Sequence, residues 1–288
     1  MIDLTGKTIL VTGGSRGIGA ATVRQLVAQG GSVVVHFGSN LTAAQALAHE
    51  FGETSIHLCQ ADLTSESETE RLWDNAVAWH GRIDVLVNNA GIYEKSPLNL
   101  DLDRWLGDWQ RTLRINLLAA AQLCRRAVTH FRDIGGGVLI NVSSRSGKRG
   151  DNIDHLHYGA SKAGMLALNR TIARDCAKDN ILAYGIAPGF VLTDMVSPVI
   201  EEKGLEAMAA MYPTGRVATP EEVANLITFF ASGAAPQATG NTIDLSGAAE
   251  VPDKGRYPTP YCGYRLAPDW ADPIHDLRPH TINRIITP

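Results

Sequence analysis

Short apolar runs alternate with longer amphipathic stretches along most of the chain, and this rhythm limits the folds open to it. Residues 7–12, 32–37, 55–60, 83–87, 137–142, 181–186 and 242–245 read as strands. Residues 19–29, 42–51, 65–80, 157–177 and 220–231 read as helices, and 102–131 as one long helix or two joined ones. Near-continuous apolar strands separated by helices imply a parallel sheet covered on both faces. Right-handed crossovers then wind helices onto both sides. The expectation is an α/β protein: a single doubly wound domain over residues 1–249 with a mainly parallel seven-stranded sheet. Residues 250–288 hold 7 of the 13 prolines and 3 of the 7 tyrosines and show little periodicity. They read as an extension, packed on its own subunit or a neighbour, and not as a second domain.

Composition removes other classes. Of 288 residues 44% are hydrophobic and 19% charged, which excludes a disordered, collagen-like or coiled-coil chain. A net charge of -4 lacks the basic excess of a nucleic-acid-binding domain. Cys59, Cys124, Cys176 and Cys262 form no C-x-x-C pair, so free thiols in a reducing compartment are expected. The N-terminus does not read as a signal peptide, and no apolar stretch is long enough to span a membrane. A cytoplasmic location is expected.

The first chemical motif is TGGSRGIG at 12–19, between the first strand and first helix. Gly13, Gly17 and Gly19 let the backbone turn sharply and approach a pyrophosphate, which the free N–H groups of the helix N-terminus would bind. The same stretch satisfies G-x-S-x-G, the nucleophile elbow of hydrolases, with Ser15 as nucleophile. An elbow normally follows several strands, and this one follows the first. A second motif pairs Tyr158 with Lys162, four apart and therefore on one helix face. A nearby ammonium lowers a phenol's pKa toward the working range, as a proton-transfer catalyst requires. The loop 145–157 is rich in charge. His155, His157, Asp151 and Asp154 have no specific metal-ligand spacing, and no metal is expected.

Taken together, TGGSRGIG, Asp62, NNAG at 88–91, Asn116 in RINL, NVSS at 141–144, YGASK at 158–162 and PG at 188–189 resemble a short-chain dehydrogenase/reductase. The resemblance covers about residues 5–248 and points to the compact, Rossmann-like type similar to 3-oxoacyl-acyl-carrier-protein reductases and sugar dehydrogenases. It implies a catalytic set of Asn116, Ser144, Tyr158 and Lys162. Ser144 stands 14 positions before Tyr158, one more than the family pattern, so a bulged loop is expected between them. It implies nucleotide contacts from Gly13, Ser15, Arg16, Gly17, Ile18 and Gly19 in the first loop. Further contacts are implied from Asp62 and Leu63, and from the NNAG segment: Asn88, Asn89, Ala90 and Gly91. Pro188, Gly189, Val191 and Thr193 are implied at the nicotinamide end, together with Tyr158 and Lys162.

Cofactor choice follows from the end of the second strand. An acid there would bind a free 2′-OH and repel a 2′-phosphate. Phe37, Gly38, Ser39 and Asn40 contain none, and Arg16 can pair with a phosphate, so NADP(H) is expected. For the substrate, a small carbonyl or alcohol, Arg145 and His155 are the first candidates. A flap carrying Met195, Met208 and Met211 fits either an adaptable apolar surface or ordinary core. The resemblance further implies a homotetramer. A nucleotide-binding regulator without turnover is the rival from another class, and it would need none of the four catalytic groups.

Overall fold

The computed structural model describes residues 2–52 and 54–251. The expectation that 250–288 packs as an extension falls, from residue 252 on, outside the described residues, as does Cys262. The elements run β1 (Thr8–Val11), α1 (Gly17–Ala28), β2 (Ser32–Phe37), α2 (Leu41–Phe51), β3 (Ile56–Gln60), α3 (Glu66–His80) and β4 (Val85–Asn88). Then come α4 (Leu102–Leu113), a π-helical turn (Arg114–Leu118), α5 (Ala119–Ile134), β5 (Gly137–Val142), α6 (Ser146–Arg149) and α7 (Leu156–Cys176). The described part closes with β6 (Ile181–Pro188), α8 (Ser197–Lys203), α9 (Leu205–Ala209), α10 (Pro220–Ala231) and β7 (Thr242–Leu245).

The seven strands form one sheet in the order β3-β2-β1-β4-β5-β6-β7. Every pairing is parallel. Val11 of β1 pairs with Val35 of β2 on one side and Val87 of β4 on the other, so the chain direction of winding reverses at β1. Such a switch point leaves a crevice at the carboxyl ends of the strands, where ligands of open α/β sheets bind.

Alternation along the strands explains the two cores. Ile9 and Val11 face one way and Leu10 the other, as period-two side chains must. Ile9, Val11, Val33, Val35 and Val87 pack with Val23 and Leu26 of α1 and with Val223, Ile227 and Phe230 of α10. Leu10, Val34, Leu86 and Leu139 pack with Leu72 and Trp73 of α3 and with Leu123 and Phe131 of α5. A separate small cluster, Val196, Met208, Tyr212 and Val217, gives the α8–α9 segment a core of its own.

Local sequence fixes the helix ends. The Ser65 hydroxyl accepts the Glu68 N–H at the start of α3. Thr219 and Glu222 form a reciprocal capping box at α10, with Pro220 in the first turn. The stretch expected as one or two helices over 102–131 is α4 and α5 joined through the π-helical turn. The extra residue between Ser144 and Tyr158 falls in a loop that folds into α6 and a single 3-10 turn, Ile153–His155. The short α6, α8 and α9 carry too little periodicity to be read beforehand.

Candidate active site

The glycine loop is held by hydrogen bonds from three strands. Gly13 takes φ +62°, and a Cβ there would stand 3.0 Å from Ala90 Cα. At Gly19 a Cβ would stand 2.0 Å from the Gly13 carbonyl oxygen, so only glycine fits. The Thr12 hydroxyl accepts from the N–H groups of Asn89 and Ala90 at 3.0 Å. The Asn89 side-chain amide donates to the carbonyls of Thr12 and Gly13 at 2.9 and 3.1 Å. Gly13 N–H donates to Nδ1 of His36 at 3.0 Å, which leaves Nε2–H of that ring to donate to Ala61 O at 3.1 Å. Burial drives the His36 pKa down to about 4, so the ring stays neutral and keeps this tautomer. Sequence reasoning missed His36. Its signal was a polar residue inside an otherwise apolar strand.

The loop leaves a cradle open to an anion. No side chain among the described residues caps the α1 N-terminus, so the N–H groups of its first turn, Gly17 to Gly19, remain available. Ser15 and Ile18 are half-buried beside them, and Arg16 is exposed at the helix start. Thr193 closes the opposite side, its Cγ2 3.1 Å from the place a Cβ of Gly17 would take. At the end of β2 Phe37 is buried, while Gly38, Ser39 and Asn40 are exposed. Asn40 also caps α2 by accepting the Ala43 N–H at 3.0 Å. Asp62 is exposed with Oδ1 on the Thr64 N–H, and Leu63 beside it is buried. The cradle, the cationic Arg16 beside it and the acid-free strand end fit a dinucleotide.

Asn88 is part of the sheet's own scaffold. Its side chain is buried and donates to Asn141 Oδ1 at 3.0 Å and Cys124 Sγ at 3.3 Å, so it ties β4 to β5 and α5. Ser15 finds no base among the described residues. His36, the nearby histidine in this loop, spends both ring nitrogens on backbone groups.

At the other end of the crevice, α7 presents Tyr158 and Lys162 one turn apart. The Lys162 ammonium donates to Val142 O at 2.9 Å, and the Lys162 carbonyl accepts from Ser143 Oγ at 2.8 Å. The neighbouring Ser144 hydroxyl acts on the Tyr158 phenol, favouring its ionised form, and accepts the Ser146 N–H at 3.1 Å. Ser143 is therefore a structural strut, and Ser144 is the serine that meets the tyrosine. Asn116 sits inside the π-helical turn, fully buried. Its Oδ1 accepts Ile92 N–H at 2.8 Å, and its Nδ2 donates to Ile92 O at 3.0 Å and Ser161 Oγ at 3.2 Å. A Cβ on Gly91 would lie 3.4 Å from both Asn116 Oδ1 and Lys162 Nζ, so these two polar groups converge on one point.

Electrostatics correct an expectation. Burial pushes Tyr158 up to about 12 and Lys162 down to about 8. The lysine nitrogen lies 5.9 Å from the phenol ring centre, and the phenol is governed by its burial, with Ser144 lowering and Asp151 raising its pKa. In this state Tyr158 is a neutral donor at pH 7.

The residues expected at the nicotinamide end close and follow β6. The Pro188 carbonyl accepts Arg145 N–H at 2.9 Å, and Gly189 N–H donates to Leu245 O at 2.9 Å. Val191 bridges to Ala218, and Thr193 Oγ1 donates to Val191 O at 3.3 Å. Of the flap methionines, Met208 is buried core and Met195 is exposed.

His155 does not carry forward as a substrate contact. Its ring is buried, with Nδ1 on Asn152 Oδ1 at 2.8 Å and one face stacked on Tyr93 at 4.0 Å. Tyr93, which sequence reasoning did not single out, stands edge-on to Tyr158 at 4.7 Å and donates to Asp151 Oδ1 at 3.3 Å. His157 faces Trp109 of α4 instead. Among the described residues no three His, Cys, Asp or Glu side chains gather as a metal ion would require.

A doubly wound sheet with a nucleotide cradle at its switch point and a serine, tyrosine, lysine and asparagine beside it defines a dinucleotide-dependent oxidoreductase. The family model described as short chain dehydrogenase matches residues 7–204, and the chain belongs to that family. It is 37% identical over 247 residues to a "Nodulation protein G" of Rhizobium sp., covering 86% of this chain and 98% of that one. It is likewise 37% identical over 252 residues to a 3-oxoacyl-[acyl-carrier-protein] reductase of Synechocystis sp., covering 86% and 98%. Among solved structures, a 7 alpha-hydroxysteroid dehydrogenase complexed with NADH and 7-oxo glycochenodeoxycholic acid matches with a TM-score of 0.78 and 32% identity, covering 85% and 94%.

Proposed function

We propose that the protein interconverts a ketone or aldehyde and the corresponding alcohol with NADP(H), using Tyr158 as the proton donor and acceptor. The observation that carries this is the meeting of Ser144, Tyr158, Lys162 and Asn116 at the crevice. The bound nicotinamide supplies or accepts the hydride. Ser144 holds the substrate oxygen against Tyr158, whose burial keeps the phenol protonated for delivery during reduction. Lys162 beside it would return a proton to Tyr158 from solvent through a water held at Asn116, whose position is fixed by Ile92. Val142 O holds the lysine head in place.

NADP(H) is favoured over NAD(H) by the acid-free end of β2 and by exposed Arg16, although the steroid dehydrogenase neighbour was solved with NADH. Reduction of 3-oxoacyl thioesters is the second reading, favoured by the Synechocystis relative; sugar or polyol oxidation is a further alternative. Exposed Leu102 and Leu106 of α4, Leu156 of α7, Phe229 of α10 and Ile243 of β7 offer apolar surface for a homotetramer. Buried free thiols at Cys59, Cys124 and Cys176 suit a reducing compartment such as the cytoplasm.

The test is a pair of measurements on Tyr158→Phe and the parent protein. NADPH quenches or enhances fluorescence with equal affinity in both, and about tenfold more tightly than NADH, about 1.4 kcal/mol. Carbonyl reduction falls by about 10³-fold in the variant. Retained turnover in Tyr158→Phe sinks the catalytic reading, and tighter NADH binding sinks the NADP(H) preference.

A further inference from the structure

Arg145 is a cation in an odd place. It directly follows Ser144, and its backbone N–H is fastened to Pro188 O at the carboxyl end of β6. Its side chain is only 6% exposed. The guanidinium carbon lies 5.0 Å from the centre of the Phe190 ring and 5.3 Å from that of Tyr212. Tyr212 is itself tied to the same loop, its hydroxyl accepting Phe190 N–H at 2.7 Å. The aromatic rings satisfy the flat faces of the guanidinium, which favours such stacking. They do nothing for its five N–H donors, which lie in its plane.

Among the described residues no oxygen takes those donors. Two carboxylates, Glu250 and Asp151, act on it through charge without a hydrogen bond. Asp151 accepts from Ser146 Oγ at 2.5 Å, from Asn152 N–H at 2.8 Å and from Tyr93. Glu250 stands 3.6 Å from Arg149, and its buried Oε1 makes no hydrogen bond. A side chain that merely riveted the β6 loop to the flap needs no charge, and a buried unpaired cation is costly. Burial accordingly pulls the Arg145 pKa down, against the opposing effects of Tyr212, Glu250 and Asp151.

We infer that Arg145 is a substrate-binding residue that takes a carboxylate, so that this chain acts on ketones or alcohols carrying an anionic group near the reacting carbon. The inference rests on the proposed oxidoreductase reading for the identity of the reacting carbon, and on Arg145 alone for the charge. Planar carboxylates match the edge of a guanidinium with two parallel hydrogen bonds, which a lysine cannot reproduce. The adjacent Ser144 would hold the carbonyl oxygen while Arg145 holds the anion, fixing the substrate at two points. A neutral ketone would leave the donors unmade and lose affinity accordingly.

Isothermal titration calorimetry of the full chain, saturated with NADP⁺, tests this with cyclohexanecarboxylate and cyclohexylmethanol, two probes of one ring and different charge. The carboxylate is expected to bind about tenfold or more tightly than the alcohol. Arg145→Met abolishes the difference, and Arg145→Lys retains part of it. Equal affinities, no measurable carboxylate binding, or an unchanged ratio in Arg145→Met overturns the inference. A purely structural rivet would lower the melting temperature of Arg145→Met without the parent protein ever preferring the carboxylate. If Arg145→Met does not fold, Arg145→Gln and Arg145→Lys carry the comparison, and the parent ratio still decides. NADP⁺ binding is read first in the same sample. Its absence breaks the proposed function and not the anion site, which is then titrated without nucleotide.

Discussion

Around the glycine loop nearly every contact is a hydrogen bond between neutral groups close to the strand ends, whereas around Tyr158 the contacts are rings and charges brought from distant segments. Thr12, Asn89 and the neutral His36 hold the loop through backbone groups. Tyr93, Asp151, Arg145, Phe190 and Tyr212 surround the catalytic end through side chains. The difference matches the two tasks. A phosphate-bearing cofactor is recognised by fixed N–H groups and close backbone approach, which any member of a family can share. A substrate is recognised by side chains, which can be exchanged without disturbing the sheet.

His36→Phe probes the first region most strongly. Free histidine titrates near 6.5 and His36 near 4, so between those values the unfolded chain binds more protons. Stability therefore falls as pH drops from 6.5 to 4, by about 3 kcal/mol if the whole shift is expressed. Urea midpoints of the parent should decline across that window, and those of His36→Phe should decline less by about this amount. A parallel decline in both proteins would show that His36 does not set the acid limb.

Gly19→Ala is the next largest. Its Cβ would meet backbone atoms of Gly13, 2.0 Å from the oxygen and 2.9 Å from the carbon. Overpacking of this kind costs about 1–3 kcal/mol. The melting temperature and NADPH affinity should fall together, and an unchanged affinity would mean that the loop can shift without loss of the cradle.

Asp151→Asn sharpens the second region and has the smallest effect. The carboxylate near Tyr158 disfavours phenolate, so its removal eases ionisation of the phenol. Alcohol oxidation needs the phenolate as base, and its rising pH limb should move to lower pH in Asp151→Asn, with a less than about tenfold change in rate at neutral pH. A limb that moves upward or stays in place removes Asp151 from the electrostatics of the tyrosine.

The same division decides what could be read from the sequence. Strand and helix order, the sheet's winding and the loop at 12–19 were legible because each rests on local pattern: period two in β1 and β2, glycines at fixed offsets, a capping box at Thr219. Ser144 was separable from Ser143 only by the run that follows it, and the structure explains why both are serines, one bonded to Lys162 O and one acting on the phenol. The partners of Asn88 could not be read beforehand because Asn141 and Cys124 lie on β5 and α5, far along the chain. Tyr93 and His155 meet across 62 positions of sequence, and no periodicity announces a stacked pair of that kind. The pKa of Tyr158 was misjudged for a related reason. The lysine four residues away is visible in the sequence, but the burial that raises the phenol and lowers the lysine is a property of the assembled crevice.

The π-helical turn at Arg114–Leu118 has a consequence for how this chain tolerates length changes. One surplus residue in a helix acts like a frameshift in the lattice, since everything beyond it is rotated by about 100° relative to a straight continuation. The stripe that α4 turns outward through Leu102 and Leu106 and the stripe that α5 turns inward through Leu123, Ala127 and Phe131 are written in two different frames. Loss of a single residue there would restore an ordinary α-helix and put both stripes in one frame. Asn116 would swing off Ile92, and the inward leucine of α5 would swing off Trp73's side of the sheet. The one-residue irregularity thus works as the joint that lets a single continuous helix serve the surface at one end and the core at the other.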